Sequence, residues 1–94
     1  VLQIRWAPLA QDDLGRLDDH YVETDPTLAV MIVRRILTAA DFLCDMPLAG
    51  QATGQKDRRK WRVSDTPYNL FYRVAGEELR ILRVLHVARD RRDL

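Results

Sequence analysis

His86 stands in the sequence beside Arg89, Arg91 and Arg92, with Arg80 six residues before it. This grouping is the part of the chain best suited to chemistry on an anion. An imidazole held among cations can act as general acid or base on a phosphodiester. The same residues also fit a strand-end histidine hydrogen-bonded to a backbone carbonyl. A second grouping, Lys56, Arg58, Arg59, Lys60 and Arg62 around Trp61, is the densest run of charge. Cations around an aromatic ring neutralise phosphates and stack on bases. Charges on an edge strand also keep it from aggregating, in which case Trp61 turns into the core. Arg73 and Arg83 are expected on adjacent strands, facing each other across the sheet or meeting an acidic segment of a partner.

Other chemistries are poorly provided for. The two histidines, His20 and His86, are too few for a histidine metal site, and no acid stands in a metal-ligand spacing with either, so no metal and no cofactor are expected. Gly50 and Gly54 lead into a strand and lack the Lys-Ser/Thr pair of a phosphate-binding loop. Ser64 is the only serine, and Cys44 sits near the apolar stripe of a helix, where a buried structural role suits it better than a nucleophilic one. His20 closes the first helix and is expected to face solvent without a role.

The elements that position these side chains follow from periodicity. Leu2-Gln3-Ile4-Arg5-Trp6 alternates apolar and polar residues, as a half-buried strand does. Pro8 opens a helix whose apolar stripe is Ala10, Leu14, Leu17 and Tyr21, with Asp12, Asp13, Arg16 and Asp19 assigned to the solvent face. Thr24-Asp25-Pro26 breaks it and caps the next helix, which carries Ala29, Ile32, Val33, Ile36, Ala40 and Leu43 and ends near Met46 before Pro47 and Gly50. Residues 47–57 read as a surface loop. Three strands follow: Lys60 to Val63, Tyr68 to Val74, and Leu79 to about Val87, the last two joined by a turn at Ala75 to Glu78. The last strand is apolar in both phases, Ile81 and Leu85 against Leu82 and Val84, which places it centrally. The expected fold is α+β: an N-terminal strand, an antiparallel helical hairpin, then a three-stranded antiparallel meander completing one sheet, as a single domain over 1–94.

Composition is consistent with this. The 94 residues suffice for one domain and, at 47% hydrophobic and 31% charged, for one modest core. A lone cysteine offers no disulfide, no apolar run approaches the ~20 residues of a membrane span, and no basic leader opens the sequence, so a soluble, cytoplasmic setting is expected. The net charge of +1 is unevenly spread. Up to Met46 four basic residues face eight acids, and from Pro47 onward eleven face six. Such a division steers the basic half toward a polyanion or an acidic partner, or simply solvates two faces.

Taken in order, Ile4-Arg5-Trp6-Ala7-Pro8-Leu9-Ala10 with Asp13-Leu14, then Pro47-Leu48-Ala49-Gly50, Pro67-Tyr68-Asn69-Leu70-Phe71-Tyr72-Arg73-Val74 and the closing Ile81 to Asp90 resemble ParE-type toxins of the ParE/RelE superfamily. The resemblance spans nearly the whole chain. It implies a bacterial type II toxin neutralised by a small antitoxin in a heteromeric complex, a heterotetramer among the stoichiometries open to it. The antitoxin's C-terminal segment would wrap the toxin, and its N-terminal part would bind operator DNA, so this chain reaches DNA operators only through its partner. RelE-type members cleave messenger RNA on the ribosome, and in some an arginine precedes the Leu-Val-Tyr-like run of the third strand. Here that position is Asn69, which cannot supply a fixed positive charge to a phosphorane-like transition state. The resemblance therefore favours ParE-type inhibition of DNA gyrase, with no catalytic residue assigned and Arg83, His86, Arg89, Arg91 and Arg92 as the target-binding set. The alternatives are a metal-free endoribonuclease using Lys60, Arg62 and His86, and a toxin-fold protein acting only in its antitoxin complex. Arg34, Trp61 and Arg73 are the expected antitoxin contacts.

Overall fold

In the computed structural model, residues 1–89 are described. The order is β1 (Gln3–Trp6), α1 (Pro8–Val22), α2 (Pro26–Asp45), β2 (Gln51–Ala52), β3 (Arg59–Arg62), β4 (Tyr68–Ala75) and β5 (Glu78–His86). Both helices begin on proline, whose fixed φ and missing N–H suit the first turn. Asp25 caps α2 by accepting the Leu28 N–H at 3.1 Å. The hairpin packs on one face of the sheet. Ala10 and Leu17 of α1, and Ile32, Ile36, Ala40 and Leu43 of α2, meet Val63, Leu70, Tyr72, Leu79, Ile81 and Val84 in one core.

The five strands are ordered β1-β5-β4-β3-β2, with β1 parallel to β5 and every other pair antiparallel. The central place expected for the last strand is thus observed: β5 lies between the first strand and the meander. Two features differ from the sequence reading. Gln51 and Ala52, assigned to a loop, form a two-residue edge strand against Arg59 and Lys60. More consequentially, the β4–β5 register shifts between Phe71, opposite Arg83, and Tyr72, opposite Ile81, so Leu82 is an extra residue on β5. A bulge of this kind reverses the inward and outward phase of everything beyond it. Ile81 and Val84, rather than Ile81 and Leu85, therefore share the helix-facing side.

Candidate functional site

Asp13 lies at the heart of the α1–β5 contact. β1 ends at Trp6, opposite Ile81, whereas β5 runs on to His86, so its far half has no strand on that side. Asp13 fills the gap. Its Oδ2 accepts the Val84 N–H at 2.9 Å and Arg83 Nε at 2.8 Å, while Oδ1 accepts Arg83 at 3.0 Å and Arg16 at 3.2 Å. Only 3% of the side chain is exposed. Burial alone would push this carboxyl up, but the bonds from Arg83, the Val84 N–H and Arg16 outweigh it and hold the group below its ordinary 3.8. The sequence reading placed Asp13 on the solvent face and missed this. The signal was present, because Asp13 stands three residues after Ala10 and four before Leu17, inside the apolar stripe rather than opposite it. Arg83, assigned to the target-binding set, bonds Asp13, and it faces Phe71 rather than Arg73, which aligns with Arg80.

His86 aligns with Tyr68, whose ring it meets edge-on at 5.5 Å, and Tyr68 belongs to the helix-side core. Its Nδ1 accepts the Ala88 N–H at 3.1 Å. Arg80 aligns with Arg73, five residues from Tyr68 on β4, so the bulge at Leu82 turns Arg80 and His86 to opposite faces. The expectation that these two share a face is corrected. His20 of α1 does share a cavity of about 250 Å³ with His86, together with Arg16, Tyr68 and Arg89. That proximity was also missed, because nothing in the sequence relates residue 20 to residue 86. Arg91 and Arg92 lie outside the described residues.

The outer face of the sheet, away from the helices, gathers the cations. Arg5, Arg80 and Arg73 line up across β1, β5 and β4. Trp61 stacks on Phe42 of α2 at 5.3 Å, so its neighbours Lys60 and Arg62 point the other way, in register with Phe71 and Asn69. Glu78 accepts bonds from Arg80 at 3.0 Å and Arg5 at 3.1 Å, and these two guanidinium groups hold its carboxyl below the usual range. Arg58 lies 5.9 Å from the Phe71 ring centroid. Asn69 is buried on this face between Arg62 and Leu85 in the register. Lys60 and Arg62 are thus on one side of the sheet and His86 on the other. The three residues of the nuclease alternative are not brought together.

The outward side of α2 is apolar. Val30 and Met31 are exposed and line a shallow groove with Arg34. Arg35 separates it from a second concavity bounded by Thr38, Phe42 and Trp61. One end of the Arg35 guanidinium pairs with Asp65 at 3.2 Å, while its buried Nε has no acceptor. Of the three expected antitoxin contacts, Arg34 and Trp61 lie along this helix, whereas Arg73 is on the outer sheet face. Beyond α2 the Pro47-Leu48-Ala49-Gly50 motif is tied down by Tyr72, whose buried hydroxyl donates to Pro47 O at 2.8 Å and accepts the Gly50 N–H at 2.9 Å. A Cβ on Gly50 would collide with the Tyr72 ring, which explains the glycine. Cys44 is buried, as expected, and burial pushes its thiol up. Among the described residues, no three His, Cys, Asp or Glu side chains are grouped to hold a metal ion, and no helix is long and apolar enough to cross a membrane.

A family model described as the ParE toxin of type II toxin–antitoxin systems matches residues 4–91. The Sinorhizobium fredii protein Y4kP, whose name describes it as a toxin, is 33% identical over 84 residues, or 89% of this chain and 86% of that protein. Toxin RelE2 of Caulobacter vibrioides is 32% identical over 89 residues, or 95% and 99%. Among solved structures, a chain of the chromosomal ParDE toxin–antitoxin system from P. aeruginosa superposes with a TM-score of 0.79 at 27% identity, covering 90% of this chain and 95% of that one. The fold is shared more distantly with a chain of the E. coli DinJ–YafQ complex, at a TM-score of 0.65 and 14% identity over 94% and 96%.

Proposed function

This chain belongs to the ParE toxin family of type II toxin–antitoxin systems, and from that premise we propose that it poisons DNA gyrase by binding, with no hydrolysis of its own. The observation that carries this reading is the division of Lys60 and Arg62 from His86 by the sheet itself. A metal-free nuclease needs its acid, base and phosphate-binding cations within hydrogen-bond reach of one phosphodiester. Here the outer face offers cations without an imidazole, and Asn69, which the resemblance aligns with an arginine of some nuclease members, is a buried neutral side chain opposite Arg62. A face bearing Arg5, Arg73, Arg80, Lys60 and Arg62 suits contact with a polyanion held by the target, since phosphate contacts position a protein on DNA without any chemistry. The test is expression of the chain alone in a sensitive bacterium, scoring chromosome breaks and messenger integrity together. Broken chromosomes with intact messages are expected. Cleaved messages with unbroken DNA would overturn the reading and return Lys60, Arg62 and His86 to consideration. Unimpaired growth would favour the third possibility, a fold retained only for complex formation.

The solved relatives are chains of toxin–antitoxin complexes, and this chain is taken to act in such a complex too. The outward face of α2 is the surface best suited to an antitoxin segment that is both apolar and acidic. Val30, Met31, Phe42 and Trp61 supply the apolar contact, and the exposed Arg34 supplies donors for carboxylates. Arg73 lies on the far side of the sheet and would be reached only by a segment that continues round the edge.

A further inference from the structure

We infer that the cavity between the C-terminal half of α1 and the end of β5 is a binding site for a phosphate group, with Arg16, His20, His86 and Arg89 as its donors. Both histidines of the chain, 66 positions apart in sequence, line this one cavity. The helix brings Arg16 and His20 together at a spacing of four, on the side of α1 that faces β5. From the opposite wall, the last residue of β5 supplies His86, and Arg89 follows in the helical residues after it.

The acid in the wall does not oppose an anion. A carboxylate offers about four lone-pair positions. Those of Asp13 are taken by two bonds from Arg83, one from Arg16 and one from the Val84 N–H. Its charge is matched inside the fold, and no acceptor capacity is turned toward the cavity. Arg16 spends one of its five N–H groups on this bond and is otherwise exposed. Asp12, Asp18, Asp19 and Glu23, the remaining acids of α1 and its C-cap, do not line the cavity. The orientation of His86 also suits a donor role. An imidazole whose Nδ1 accepts a backbone N–H carries its proton on Nε2, which is then available to an oxyanion. The volume of about 250 Å³ is several times the roughly 30 Å³ share of a water molecule, so a tetrahedral anion fits with part of its hydration. The C-terminal dipole of α1 opposes an anion at the His20 end, so binding is expected to be weak and salt-sensitive.

The site is on the helix side of the sheet, distinct from the cationic outer face, and does not depend on gyrase being the target. The phosphate could be inorganic or part of a nucleic-acid backbone. Because the chain has only two histidines, the test is direct. The full chain, isotopically labelled at histidine, is titrated with inorganic phosphate and, separately, with a short DNA duplex, while histidine NMR signals are followed at constant ionic strength and pH. Sodium acetate serves as the control. The expected result is a saturable shift of both imidazole signals with a common midpoint in phosphate, weakened about tenfold by Arg16→Ala and by Arg89→Ala, the loss of one charge-assisted bond each. Arg89→Ala touches no core contact of the described residues, so it remains informative if Arg16→Ala fails to fold. Saturation by the duplex as well identifies the phosphate as that of a backbone, and saturation by inorganic phosphate alone identifies a small-anion site. An unsaturable response, a shift at one histidine only, or an equal response to acetate would overturn the inference.

Discussion

Replacing Asp13 by asparagine keeps the shape of the side chain while removing its charge and one of its two accepting oxygens. In the native protein each oxygen serves two donors, and with the side chain 3% exposed none of this is lost to water. In Asp13→Asn the new amide is itself a donor, so two of the four donors lose their acceptor. Arg16 is 59% exposed and turns to solvent at little cost. The other lost bond is one from Arg83 or the Val84 N–H to a side chain only 3% exposed, and breaking a charge-assisted contact of this kind costs about 3 kcal/mol. For a domain of 94 residues, each kcal/mol moves Tm by about 4 to 8 °C, giving a fall of roughly 12 to 24 °C at neutral pH. The pH dependence is the sharper check. Folding depresses the Asp13 pKa below its ordinary 3.8, so its contribution is full above that value and is lost as pH falls through the lower, folded-state value. The gap between wild type and variant, measured by circular dichroism melts, should stay constant from pH 8 to about pH 5 and close under strongly acid conditions. A neutral-pH difference under about 4 °C, or a gap that does not close in acid, would refute the account of Asp13 as the device that caps the open half of β5.

Three further outcomes follow from the same geometry. Gly50→Ala pushes a methyl group into the buried Tyr72 ring and is expected to cost about 1 to 3 kcal/mol, read as a lower urea midpoint, and Tyr72→Phe, which removes the bonds to Pro47 and Gly50, should fall in a similar range. Trp61→Ala, which strips the stacked ring from the α2 concavity, should weaken antitoxin binding by at least about tenfold in calorimetry, and unchanged affinity would remove that concavity from the proposed interface. Lys60→Ala with Arg62→Ala should reduce growth arrest and chromosome breakage in parallel, without any change in messenger integrity, because these residues are assigned to contact and not to cleavage.

The helices were legible because their signals are local. Pro8, Pro26 and Asp25 mark the starts, and the apolar spacing of Ile32, Ile36, Ala40 and Leu43 fixes which side is buried. The strands were legible as segments for the same reason, apart from Gln51 and Ala52, whose pairing depends on β3 and leaves almost no trace in two exposed residues. The sites were far less legible, since each depends on a relation between distant residues. Asp13 could have been read correctly from its place in the apolar stripe, but its acceptor role requires knowing that β1 stops at Trp6 while β5 continues.

The bulge at Leu82 is the clearest case of structure deciding which side chains meet where composition cannot. Counting by twos along an ideal strand puts Arg80 and His86, six residues apart, on one face and suggests a catalytic cluster of cations and imidazole. One inserted residue changes that parity. It sends Arg80 outward to join Arg5 and Arg73, and His86 inward toward Tyr68 and His20. Since the same bulge separates the nuclease candidates and brings the two histidines into one cavity, deleting Leu82 is a direct check on the register. Without Leu82, Tyr72 would still face Ile81 and Phe71 would still face Arg83, now in a regular ladder. A variant that folds should therefore keep Arg83, Val84, Leu85 and His86 in their present phase, retain the Asp13 contacts and leave His86 on the side of His20. Movement of His86 to the side of Lys60 and Arg62, read from its NMR contacts, would refute the register argument. The two proposed surfaces lie on opposite faces because one position in β5 stands outside the ladder, and parity along that strand decides which of its side chains can meet.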